Sequence, residues 1–156
     1  MPWYRIRDRI RGKVPSMCNL RSSILALALA ASFAAGATDY GPYRAQVVHV
    51  IDGDTLELRV AIWPQHTVQT VVRLAGINAP ELRSGPPCER EAGRRAAEFV
   101  RAWAARGGRI TLTVTGREKY GRPLGAIARD GEDLAAALIA AGHARPYDGG
   151  RREAWC

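Results

Sequence analysis

Two β-prone runs flank a single Asp-Gly step, and this pairing constrains the fold more than any other stretch of the chain. Ala45 to Ile51 is rich in β-branched residues, and Leu56-Glu57-Leu58-Arg59-Val60 alternates apolar and polar side chains. Between them lies Asp52-Gly53-Asp54-Thr55. Side chains on a strand repeat every second residue, and Asp-Gly supplies the backbone conformations of a tight turn, so the segment reads as a hairpin with one buried face. Thr67 to Ala75 reads as a third strand, and the Gly-, Pro-, Asn- and Ser-containing stretch 76–88 as a loop.

From Glu89 to Ala105 the period changes. Ala92, Ala96, Phe99, Val100 and Trp103 recur at three- and four-residue spacing, the mark of a helix with one apolar stripe, and Gly107-Gly108 ends it. Arg109 to Thr115 and Pro123 to Arg129 read as two further strands, the second opened by a proline that suits a strand start. Asp130-Gly131 leads into a helix from Glu132 to Ala141, closed by Gly142, and residues 143–156 read as an irregular tail. Three strands, a helix, two strands and a helix make a mainly β, α+β chain whose natural solution is a five-stranded OB-like barrel with flanking helices.

The N-terminus has a different character. A basic stretch precedes the apolar run Ile24 to Ala35, and Ala35-Gly36-Ala37 has the small-residue pattern of a cleavage site. The run falls short of the roughly 20 apolar residues needed to span a bilayer. Residues 1–37 therefore read as an export signal, with Met17 as an alternative start. Residues 38–44 read as a linker, 45–147 as the barrel domain and 148–156 as a tail. The expectation is a periplasmic or secreted monomer, without stable membrane association once the signal is removed. Removal of Cys18 with the signal leaves Cys88 and Cys156, and an even pair in an oxidising compartment is expected to form a disulfide. Zinc is disfavoured, because there is no C-x-x-C and His49, His66 and His143 are scattered.

The net charge of +8 overstates the affinity for polyanions, because residues 1–37 carry +5 of it and residues 38–156 only +3. A mildly basic body supports a nucleic-acid partner only weakly, so any function must rest on specific side chains. Three segments hold them: Asp52-Gly53-Asp54-Thr55, Val72-Arg73-Leu74-Ala75-Gly76-Ile77-Asn78-Ala79-Pro80-Glu81, and Glu118-Lys119-Tyr120-Gly121-Arg122. They offer carboxylates, an amide oxygen and two arginines at strand ends and in loops. Alone, each is ordinary turn or surface chemistry. The glycines at 116 and 121 do not make a phosphate loop, since no Lys-Ser/Thr follows.

Together and in this order, with the closing D-G-E-x-L…A-G-x-A segment, they resemble the staphylococcal nuclease (thermonuclease) family from about Val47 to Tyr147. The resemblance implies a calcium-dependent endonuclease acting on single-stranded or unpaired DNA and RNA. It implies metal binding by Asp54, Asn78 and the Ala79 carbonyl, with Asp52 in the outer shell. Arg73 and Arg122 correspond to phosphate-binding arginines, Glu81 to the general base, and Tyr120 and Tyr147 to substrate contacts. The chemistry suits these residue types: a carboxylate orients and deprotonates water, guanidiniums grip phosphate, and hard oxygen donors suit calcium. Asn78 stands where the family usually has aspartate, so calcium affinity is expected to be weakened. A degenerate site in a non-catalytic OB-type module that binds nucleic acid or protein is the alternative.

Overall fold

The computed structural model of the chain describes residues 39–156. The expected export signal lies outside these residues. Eight strands and two helices follow in the order β1 (Tyr40–Val50), β2 (Thr55–Trp63), β3 (His66–Leu74), β4 (Ile77–Asn78), α1 (Pro87–Ala105), β5 (Ile110–Arg117), β6 (Pro123–Arg129), β7 (Glu132–Asp133), α2 (Leu134–Ala140) and β8 (Arg145–Pro146). The main sheet runs β3-β2-β1-β5-β6-β7, and a parallel β3–β6 pairing closes five of these strands into a barrel. Its core holds Leu56, Leu58, Val72, Leu74, Leu112 and Ile127, with Trp103 of α1 and Leu134 and Leu138 of α2 buried against it.

The Asp-Gly hairpin forms where the sequence places it: β1 and β2 are antiparallel, with Val50 opposite Leu56. The first strand begins earlier than its β-branched run. Tyr40 and Tyr43 pair with Val114 and Leu112 of β5, so most of the expected linker belongs to the barrel. Residues 76–88 contain β4, and the tail contains β8. These two segments pair antiparallel, Ile77 with Pro146 and Asn78 with Arg145, which draws the start of the tail alongside Asn78.

Helix α1 starts at Pro87, where a proline loses nothing because the first-turn N–H groups have no helical partner. Its buried face is Gly93, Ala96, Ala97, Val100 and Trp103. The stripe is turned slightly from the expected one, leaving Ala92 and Phe99 half-buried. Two glycines let this helix approach the loops. A Cβ on Gly93 would stand 2.6 Å from the Glu81 carbonyl oxygen, and one on Gly53 would stand 2.7 Å from the Ala96 Cβ and 2.8 Å from the Ala79 Cβ. Helix α2 begins two residues later than expected, because Glu132–Asp133 pairs with β6 and Asp133 caps the helix by accepting the Ala136 N–H at 2.7 Å. It ends as read, at Gly142 with φ +72°. Among the described residues no helix is long and apolar enough to cross a membrane.

Cys88, in the first turn of α1, is joined to Cys156 with their Cα atoms 6.3 Å apart. The tail is thus held at both ends, by β8 and by the disulfide. The bond spans 68 residues of chain, and closing a loop of that length restricts the unfolded ensemble by up to about 4 kcal/mol on the chain-entropy model. Peptide mapping of non-reduced protein should recover Cys88 and Cys156 linked, and reduction should lower the thermal midpoint. Free thiols at both positions in the folded protein would refute the bond.

Candidate active site

Asp54 and Arg73 form the centre of the site. They lie at the ends of β2 and β3 near the barrel seam, where Thr55 is opposite Arg73 and Arg73 is opposite Leu124 of β6. Both are buried, at 4% and 9% exposure. The Arg73 Nη1 donates to Asp54 Oδ1 at 2.8 Å, and the Thr55 hydroxyl donates to the same oxygen at 2.9 Å. The Ala79 N–H donates to Asp54 Oδ2 at 3.1 Å. A carboxylate has about four acceptor positions, so three donors leave it further capacity.

Asp52 sits two residues back, with its Oδ1 accepting the Asp54 N–H at 3.1 Å. Burial, and then the Asp54 charge, push its carboxyl up from 3.8 to about 6. Asn78 is 6% exposed, and its Oδ1 has no hydrogen-bond partner. Arg73 Nη2 is likewise buried without a partner. Unpaired buried polar atoms are costly, and here one is an acceptor and one a donor on neighbouring elements.

The acceptor side suits a hard cation. Among the described residues no three His, Cys, Asp or Glu side chains group as a metal site. The available donors are the Asp54 carboxylate, the orphan Asn78 oxygen and the Ala79 carbonyl, with Asp52 behind. Such oxygen donors, completed by water, fit calcium better than a softer metal. Asp54 is already shared with a guanidinium, and Asn78 brings no charge.

A cleft of about 700 Å³ is lined by Arg73, Tyr120 and Tyr147 of the residues singled out from the sequence, together with Glu118 and Arg152, whereas Glu81 and Arg122 stand outside its lining. Arg122 reaches it through Glu118, whose Oε1 accepts from the Arg122 Nε. That hydrogen bond holds the Glu118 carboxyl below its ordinary range. It likewise holds the Arg122 guanidinium above its ordinary value, with the nearby charges of Asp52 and Asp54 adding to the effect. Glu81 also meets the cleft through a partner, because Arg152 Nη1 donates to its Oε1 at 3.0 Å. Tyr120 is exposed on the loop beside Lys119, and the Tyr147 hydroxyl donates to the Gly150 carbonyl at 2.8 Å.

The sequence reading did not assign Glu118, Thr55 or Arg152 a place at the site. The first two were visible inside the quoted motifs. Arg152 lies in the part read as an irregular tail, and its only signal was the cysteine four residues beyond it.

A closed OB-like barrel with acids and arginines gathered at the ends of its strands defines a nuclease-type architecture. The family model of the staphylococcal nuclease homologues matches residues 71–154, and the chain belongs to that family. No curated protein matches the chain.

The Asp54–Arg73 pair sets a stability test. Asp54→Ala leaves Arg73 charged and buried without its carboxylate, which typically costs about 3–5 kcal/mol. Denaturant unfolding should show a loss of that order, and a loss under about 1 kcal/mol would mean that water reaches the guanidinium.

Proposed function

We propose that this protein is an exported, calcium-dependent nuclease that hydrolyses phosphodiester bonds of single-stranded or unpaired DNA and RNA. The observation that carries this reading is the Asp54–Arg73 pair at the barrel seam, where Arg73 lines the cleft and keeps Nη2 without a partner. The carboxylate suits a cation and the guanidinium a phosphate oxygen. Family membership supports the same reading. Export is supported by the apolar run ahead of Ala37 and by the disulfide, which persists in oxidising compartments.

In this mechanism Arg73 binds a phosphate oxygen through Nη2 while Nη1 stays on Asp54. Arg122 uses Nε on Glu118 and keeps its two Nη groups for the phosphate. Both guanidiniums are therefore oriented before substrate arrives, which is how charge stabilisation lowers a barrier. Glu81 orients a water and accepts its proton as the water oxygen attacks phosphorus. The leaving sugar oxygen departs with the electron pair of the broken P–O bond and is then protonated. Asp54, Asn78 and the Ala79 carbonyl would hold calcium, which supplies positive charge to orient and neutralise the phosphate.

Purified protein should hydrolyse single-stranded DNA with calcium and lose that activity in chelator. Glu81→Gln and Arg122→Ala should each lower turnover by about 100-fold or more while the fold is kept. Full activity in chelator, or wild-type turnover in either variant, would sink the assignment. Binding of the DNA without cleavage would favour the non-catalytic module. Asn78→Asp should tighten calcium binding, because ligand charge sets affinity, and equal calcium titrations of the two forms would remove Asn78 from the ligand set.

A further inference from the structure

We propose that Arg152 is a substrate-binding residue of this site and grips the phosphate next to the scissile one. The inference rests on the nuclease reading and extends it to the tail.

Arg152 is held by two neighbours, Glu81 and Tyr147. Its Nη1 donates to Glu81 Oε1 at 3.0 Å, and its guanidinium carbon stands 5.9 Å from the centre of the Tyr147 ring. Partial burial works against its charge, but Tyr147, Glu81 and the field of Asp54 outweigh this and hold the guanidinium above its ordinary value. The segment carrying it cannot drift far. β8 pairs Arg145 with Asn78 at one end, and Cys156 is bonded to Cys88 at the other. Between them Arg145 stacks on Trp155 at 4.2 Å and donates to the Ala154 carbonyl at 3.2 Å.

Arg152 also marks a boundary. It lines the 700 Å³ cleft together with Arg73. It lines a second hollow as well, of about 620 Å³, whose walls include Asn78, Arg145 and Arg151. The two hollows share Gly76, Tyr147, Asp148 and Arg152. A nucleic-acid strand whose scissile phosphate sits at Arg73 and continues into the second hollow crosses Arg152. Only one of its five N–H donors is used on Glu81, so planar donors remain for a phosphate. Glu81 needs its own free lone pairs for water at the scissile phosphorus, which places the Arg152 contact one phosphate further along.

The test compares wild type, Arg152→Ala and Arg152→Lys on two substrates. One is a single-stranded oligodeoxynucleotide, and the other is a dinucleoside monophosphate, which has no neighbouring phosphate. With calcium, Arg152→Ala should lower kcat/KM for the oligonucleotide about tenfold or more beyond any loss it causes on the dinucleoside monophosphate. Arg152→Lys should recover part of the loss, since it keeps the charge and loses the fork. In chelator, the salt dependence of oligonucleotide binding should flatten by about 0.7 in log–log slope for Arg152→Ala, as expected when one single-strand phosphate contact is lost. Equal losses on both substrates would make Arg152 a positioning residue for Glu81 and overturn the assignment. Faster cleavage by Arg152→Ala would make it an inhibitory latch and overturn it too, as would an unchanged slope. If wild type cleaves neither substrate, the hydrolase reading fails, and the binding slope alone decides the role of Arg152.

Discussion

The Asp54–Arg73 pair sits where the barrel closes and where the candidate chemistry begins, and the rest of the site is arranged around it. Removing two opposite charges from water is expensive, and their attraction repays it only if the remaining hydrogen-bonding capacity is also met. Here Thr55 and the Ala79 N–H also donate to Asp54, while the Leu74 N–H donates to the Asp54 carbonyl at 2.8 Å and the Ala75 N–H to the Gly125 carbonyl at 2.9 Å. The pair therefore fixes β2, β3 and the loop after β3 in one register at the seam with β6. Such a pair specifies geometry more than it adds stability. One donor of the pair, Arg73 Nη2, is left without a partner.

Helix α1 performs the second positioning task. It presses on the Asp52–Asp54 turn through the space at Gly53 and on the Glu81 backbone through Gly93. Glu89 in its first turn accepts the Glu81 N–H at 3.4 Å, and Cys88 anchors the tail that brings Arg152 onto the Glu81 side chain. The helix that fills one side of the barrel thus locates the turn, the carboxylate and the tail together.

Local patterns carried the barrel. The Asp-Gly turn, the period-two runs and the apolar helical stripe each arise from neighbours in sequence, and each could be read there. Pairings between distant segments could not. Tyr40 and Tyr43 look like linker residues until β5 offers them a ladder, and β4 and β8 are too short to show any period and exist only as partners. The turn of α1 by part of a step reflects close approach at Gly93, a position that has no apolar signal of its own. At the site, the motifs marked out Asp54, Arg73, Asn78, Glu81 and Arg122. They did not show that Arg73 already shares Asp54, that Glu118 holds Arg122, or that a tail arginine reaches Glu81.

Those three contacts bear on how a body of only +3 would bind a polyanion in the proposed function. Arg73 is paired with Asp54, Arg122 with Glu118 and Arg152 with Glu81. Each acid cancels long-range charge, so the field that would steer any polyanion toward the surface is weak. The more exposed pairs, at Glu118 and Glu81, add little stability. They do restrict the rotamers of long side chains that would otherwise have to be ordered on binding. Each guanidinium uses one edge on its carboxylate and keeps further N–H groups in fixed directions. In the proposed function, recognition would depend on phosphate spacing and donor geometry at short range, and a flexible strand could place its phosphates at these arginines in succession.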